Sequence, residues 1–168
     1  MKTRAHQETF DRWLNCHTGL LLKVASSFSK DATDRDDLLQ EISFQVWKSI
    51  PGYDGRVKES TWIYRVSLYT AIRWAKRESN RPSTANLEQP AIVIDQSGQD
   101  PRLAWLYEQI QALEPIDRSL TLLMLDGYSY LEIADTLGMT ESNVGVRLSR
   151  IKKDLTRKLQ RERNDDIR

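Results

Sequence analysis

The chain has 168 residues, a formal net charge of +1, 39% apolar residues and 29% charged residues. That length allows one medium domain or two small ones, and the lean apolar share suits two small helical domains with much surface. A single cysteine, Cys16, excludes an internal disulfide. The opening MKTRAHQETF has no apolar stretch of the signal-peptide kind, and no apolar run approaches a membrane span, so the expectation is a soluble, cytoplasmic protein.

The near-neutral total hides blocks. Residues 139–163 are basic, with Arg147, Arg150, Lys152, Lys153, Arg157, Lys158, Arg161 and Arg163 against Glu141, Asp154 and Glu162. Residues 56–81 are basic too, with Arg56, Lys58, Arg65, Arg73, Lys76, Arg77 and Arg81 against Glu59 and Glu78. Residues 31–41 and 88–126 are acidic. Two basic blocks in separate halves predict two contacts with a polyanion.

Taken in order, residues 8–30 read as a helix, with Phe10, Trp13, Leu14, Leu20, Leu21, Val24 and Phe28 at spacings of three and four, interrupted at Gly19. Cys16 is expected to be a small, partly buried residue and His17 a surface one. With only one further histidine, His6, they are too few for a metal site. A polar break at residues 30–33 leads to a second helix. Asp34, Asp36 and Asp37 suit its positive N-terminal end, and Leu39, Ile42, Val46 and Ile50 form the expected buried stripe, flanked by Leu38 and Trp47. Asp37, Gln40, Glu41 and Gln45 lie towards the outside, and Pro51-Gly52 stops the helix.

After a loop, YDGRVKE, helix resumes near Ser60 and runs to about Arg77. At 100° per residue Arg65, Val66, Tyr69, Arg73, Lys76 and Arg77 fall within about 60° of Trp62. Tyr64, Leu68, Ala71, Ile72 and Ala75 fall on the opposite, apolar side. Rings interleaved with cations suit single-stranded nucleic acid, because rings stack on bases while cations follow phosphates. The same pattern also arises when Trp62 and Tyr69 pack under neighbours and the cations only face water. Residues 79–101, with Pro82, Pro90, Pro101 and Gly98, have no helical period and read as a connection, and Ala91 to Ile94 form an apolar island within it. Helix resumes near Arg102 with Leu103, Leu106, Ile110 and Leu113 inward. Pro115 starts another helix, with Leu120, Leu123 and Met124 inward, ending before Gly127.

Residues 127–159 read as helix, tight turn, helix. Ser129 and Glu132 make a capping box, and Ile133, Ala134 and Leu137 make an apolar face. Gly138 ends the first helix and Thr140 caps the next, whose Val144, Leu148, Ile151 and Leu155 share one face. Ser142, Val146, Ser149, Arg150, Lys153 and Arg157 lie on the other. This is the helix-turn-helix pattern of DNA readers; an ordinary helical hairpin with a solvated basic side has the same periodicity. Nothing in the chain supplies a Gly-rich phosphate loop or convergent metal ligands, which excludes an enzyme as the first reading and calls for no cofactor.

Nearly the whole chain resembles the sigma-70 family of bacterial RNA polymerase subunits, in particular its two-domain extracytoplasmic-function group. DDLLQEISFQVWKSI resembles region 2.2, with Asp37, Gln40 and Glu41 meeting its D-x-x-Q-E pattern. YDGRVKESTWIYRVSLYTAIRWAKR resembles regions 2.3 and 2.4, with residues 61–65 meeting the T-W-L-Y-R core. LEPIDRSLTLLMLDGYSYLEIADTLGMTESNVGVRLSRIKKDL resembles region 4. The resemblance implies an all-α protein of two small helical domains, residues 1–80 and 102–163, joined by a flexible linker over 81–101. It implies a transcription initiation factor without catalysis of its own. The first domain would dock on core RNA polymerase at the β′ clamp through Asp37, Gln40 and Glu41, and would capture the melted −10 element with Trp62, Arg65, Tyr69, Arg73, Lys76 and Arg77. The second would read the −35 duplex with Ser142, Asn143, Val146, Arg147, Ser149, Arg150 and Lys153 and touch the β flap. An anti-sigma protein is a further expected partner. Tyr69 and Arg73 stand where the family often has Asn and Asp, and Gly145-Val146 where it often has a basic residue and Ser, so the family's base preferences do not carry over at those places. The alternative from the residues alone is a helix-turn-helix repressor or activator that binds duplex DNA without polymerase.

Overall fold

The computed structural model describes residues 2–80 and 100–165. The described residues are helical, without strands: α1 (Lys2–Phe28), α2 (Ala32–Ser49), α3 (Glu59–Ser79), α4 (Pro101–Gln111), α5 (Pro115–Leu125), α6 (Tyr130–Leu137) and α7 (Glu141–Asp165), with one 3₁₀ turn at Ile50–Gly52. They form two compact units, residues 1–107 and 108–168. The apolar island at Ala91–Ile94 lies outside the described residues.

In the first unit α1, α2 and α3 pack against one another. Trp13, Leu21, Val24, Ala25 and Phe28 of α1 meet Leu38, Ile42 and Val46 of α2 and Ile63, Tyr64, Leu68 and Ala71 of α3 in one buried core. α1 starts several residues earlier than the apolar spacing predicts. Its exposed first turns are tied by Arg4 to Glu8 (3.1 Å) and Gln7 to Asp11 (2.8 Å), pairs at the four-residue spacing that stabilises helices without burial. His17 leaves helical geometry (φ −123°, ψ 16°), beside a Thr18 hydroxyl that donates to the Leu14 carbonyl at 2.6 Å. A side chain inserted into the amide ladder is a known cause of kinks. Cys16, expected to be partly buried, is exposed, and His17, expected at the surface, is half-buried; the kink turns this pair differently from a straight helix.

Asp31 caps α2, accepting from the Asp34 amide at 2.8 Å. The fully buried ridge is Leu38, Ile42 and Val46, a strict four-residue row, so Leu38 takes the place expected of Leu39, which is half-buried. In α3 the buried arc is wider than expected and takes in Ile63, Ser67 and Thr70, because α1 and α2 both cover it; Ile72 and Ala75 are half-buried.

A bidentate ion pair joins α1 to the start of α3. Arg12 Nη1 and Nη2 donate to Glu59 Oε2 and Oε1 at 2.6 and 2.7 Å. These bonds hold the Glu59 carboxyl below its ordinary value, against the opposing effect of burial. A carboxylate whose pKa is depressed in the folded state stabilises fully above the unfolded value and loses that contribution as pH falls through the folded one. Thermal melts of the parent and Glu59→Gln should therefore differ most at neutral pH and converge from about pH 4.5 downward. A constant difference down to pH 3 would show that the pair carries no linkage.

In the second unit α5, α6 and α7 pack together, with Ile110, Leu120, Leu122, Leu123, Ile133, Val144 and Leu148 fully buried or nearly so. Leu103 is an exception to the expected α4 stripe at 48% exposure; Leu106 is half-buried and Ile110 buried, so the stripe holds only towards the end of the helix. Met124 is half-buried and Leu122, two positions earlier, is buried in its place. Arg118 donates to the carbonyls of Gln111 and of Leu113 (2.9 Å), closing the end of α4, and burial pushes its pKa down to about 10.

Candidate nucleic-acid interface

The turn between α6 and α7 is built as its residues require. Ser129 Oγ accepts from the Glu132 amide (3.2 Å) and Glu132 Oε2 accepts from the Ser129 amide (2.8 Å), satisfying two orphan donors at the start of α6. Gly138 takes the left-handed conformation (φ 67°) that ends α6, a conformation costly for a residue with a Cβ. Thr140 Oγ1 then accepts from the Asn143 amide at 3.2 Å and starts α7. α6 is eight residues long and α7 twenty-five, well beyond the expected end near Leu159.

α7 buries Val144, Leu148 and Ile151, with Leu155 half-buried. Its opposite side exposes Ser142, Asn143, Val146, Ser149, Arg150 and Lys153, and Val146 is 67% exposed. Gly145, Val146, Ser149, Arg150, Lys153, Asp154 and Arg157 line one continuous surface. Gly145 lies under the Tyr130 ring, where an added Cβ would sit 3.7 Å away, an ordinary contact. Arg147 is different. It is half-buried, and Nη1 donates to Asp117 Oδ1 at 2.6 Å, while Arg150 Nη2 donates to Asp117 Oδ2 at 2.9 Å. Asp117 lies in the first turn of α5 and is buried.

On α3 the residues Arg65, Tyr69, Arg73, Lys76 and Arg77 are exposed. The Arg65 guanidinium stands 5.8 Å from the Tyr69 ring centroid, and that of Arg77 stands 5.5 Å from Trp74. Trp62 is half-buried: Nε1 donates to Ser49 Oγ at 3.0 Å and its ring lies 5.6 Å from that of Tyr53. It is thus both a packing residue and a wall. A groove of about 520 Å³ runs along it, lined by Trp62, Arg65, Val66, Tyr69, Thr70 and Arg73 of α3 and by Gln45, Lys48 and Ser49 of α2. The α2 residues were not foreseen, because the α2–α3 crossing that brings them there is not written in either helix alone.

Asp37 and Gln40 are exposed on α2, and Glu41, half-buried, accepts from Gln45 Nε2 at 3.1 Å. These three residues sit on the outer side of the same helix whose later turns border the groove. Among the described residues no cluster of three His, Cys, Asp or Glu side chains could hold a metal ion, and no helix is long and apolar enough to cross a membrane.

A helical chain with a helix-turn-helix in one unit and a grooved, ring-and-cation helix in the other is of the class of DNA-binding transcription proteins. Sigma-70 region 2 matches residues 13–81 and Sigma-70 region 4 matches residues 103–155, so the chain belongs to the sigma-70 family of transcription initiation factors. It is 25% identical over 155 residues to the ECF RNA polymerase sigma-E factor of Escherichia coli (strain K12), covering 82% of this chain and 81% of that protein. It is 26% identical over 152 residues to the ECF RNA polymerase sigma factor SigM of Mycobacterium tuberculosis, covering 89% and 76%. In fold it is similar to the sigma factor RpoE solved in complex with the anti-sigma factor NepR from Bartonella quintana (TM-score 0.72, 22% identity, 91% of this chain and 98% of that one). It is also similar to CnrH solved with the cytosolic domain of CnrY (TM-score 0.65, 22% identity, 92% and 89%). A duplex-only repressor or activator is not favoured, because both sigma regions match in order.

Proposed function

We propose that this initiation factor, acting in the cytoplasm and without catalysis of its own, divides promoter recognition between its two units. Asp37, Gln40 and Glu41 dock residues 1–80 on the β′ clamp of core RNA polymerase. Trp62, Arg65, Tyr69 and Arg73, which line the α2–α3 groove, take up the melted −10 strand together with Lys76 and Arg77 further along α3. Residues 102–163 set α7 in the major groove of the −35 element, with Ser142, Asn143, Val146, Ser149, Arg150 and Lys153 on the DNA side and Arg147, the other expected reader, held back on Asp117, and reach the β flap. Residues 81–101 connect the two. An anti-sigma protein is the partner that would hold the factor inactive, as the similar sigma factor RpoE is seen bound to the anti-sigma factor NepR.

The observation that supports this reading is the groove beside Trp62, which brings the exposed Tyr69 ring together with Arg65 and Arg73 of α3 and Lys48 of α2. A protein that reads only duplex DNA has no use for it. Unstacking a base costs a few kcal/mol, stacking on an aromatic side chain returns about 1–3 kcal/mol per base, and the cations add a salt-dependent contribution. Binding alone can thus open the strands, provided the −35 contact fixes where.

The test is reconstitution. Purified protein with core polymerase should start transcripts on genomic DNA at sites that share a −35 and a −10 pattern, mapped by sequencing the 5′ ends. No association with core, together with tight binding to a palindromic duplex, would overturn the reading.

A further inference from the structure

The outer face of α7 does not offer its arginines equally. Asp117 of α5 is 7% exposed and accepts one bond from each of Arg147 and Arg150, one guanidinium to each carboxylate oxygen. The Arg147 side chain is 33% exposed, and Arg147 is absent from the surface that Val146, Ser149, Arg150 and Lys153 line. The Arg150 side chain is 61% exposed, borders that surface, and keeps donors beyond the one given to Asp117.

We propose that Asp117 is a positioning residue for −35 recognition: it aims the Arg150 guanidinium at one base pair and withdraws Arg147 from the free cations of α7. The proposal rests on the reading of α7 as the −35 helix. A free arginine on a helix surface samples many rotamers and meets phosphates and bases alike. One held at an amino group by a buried carboxylate loses that freedom before DNA arrives, and its remaining N–H groups face a fixed direction. A planar guanidinium donating to guanine O6 and N7 needs that alignment, whereas a phosphate contact does not. The carboxylate also offsets one of the two charges it touches, which lowers the pull towards DNA of any sequence.

The test uses the full-length protein as holoenzyme on a pool of promoters with a randomised −35 element, sequencing the promoters retained in open complexes. The parent should show a −35 preference. Arg150→Ala should flatten it at one position by about 5- to 100-fold, the range a bidentate arginine–guanine contact supplies. Asp117→Asn should flatten the same position by about tenfold or more and leave the others unchanged, and should add nothing there in the Arg150→Ala background. Asp117→Ala should bind non-specific duplex more tightly, with a steeper salt dependence, by about 0.9 in the log–log slope for one further phosphate met by Arg147. A simple loosening of the fold would weaken that binding instead.

Asp117→Asn that melts like the parent and keeps the full preference overturns the proposal, as does flattening spread over every position. If Asp117→Asn does not fold, Asp117→Glu keeps the charge and displaces it by one methylene; an unchanged preference at the Arg150 position would then overturn it. A parent holoenzyme with no −35 preference overturns the reading of α7 itself, and the proposal with it; that result is read from the parent alone.

Discussion

Holoenzyme carrying Tyr69→Ala is expected to form about 5- to 100-fold fewer open complexes on duplex promoters, the loss of one base–aromatic stacking contact. Tyr69 is the cleaner test of strand capture than Trp62. Tyr69 is 38% exposed and its ring stands 5.8 Å from the Arg65 guanidinium, so removing it should cost less stability than removing Trp62. Trp62→Ala would also remove the bond to Ser49 and the contact with Tyr53, and its defect would mix packing with recognition. The measurement is fluorescence of a base analogue placed in the −10 element, on a duplex and on a premelted template. Stacking is lost from both, so affinity should fall by a similar factor on each. A defect confined to the duplex would assign Tyr69 to strand separation instead, and no change on either template would remove it from the interface.

How far the sequence led depends on whether a feature is local. Ser129, Glu132, Gly138 and Thr140 do their work within a turn of themselves, and the capping box and left-handed glycine stand as the sequence predicts. The outward set Arg65, Tyr69, Arg73, Lys76 and Arg77 follows from the geometry of one helix. Errors begin where two helices meet. Whether Leu38 or Leu39 goes under depends on where α1 and α3 lie, not on α2, and the same holds for Leu122 against Met124. Leu103 fits the apolar spacing of α4 and is nevertheless exposed, because periodicity says which residues share a face and not where along the helix the cover stops. Asp117 was invisible for the plainest reason. An aspartate two residues after Pro115 reads as a helix-start anion, and its partners are 30 and 33 residues away. Arg147 and Arg150 looked equivalent on the helix surface, and only the position of α5 separates them.

Leu148→Ala is expected to destabilise the second unit strongly. Leu148 is fully buried in the second unit, and emptying such a site costs about 2–5 kcal/mol. A unit of about 60 residues has only about 3–9 kcal/mol of stability in total. The substitution should therefore bring residues 108–168 close to unfolding, and the helix-turn-helix cannot persist without them, since the caps at Ser129 and Thr140 order the turn but contribute only about 1 kcal/mol each. Leu148 belongs to the second unit, and the core of α1, α2 and α3 to the first. Calorimetry should show the transition of the second unit shifted strongly down and that of the first unchanged. If the functional division holds, the variant should still be retained by core polymerase through residues 1–80 while losing its preference among −35 sequences. A single transition that moves as a whole would mean that the two units fold as one. Loss of core binding would place a necessary polymerase contact in residues 108–168 and overturn the division of labour.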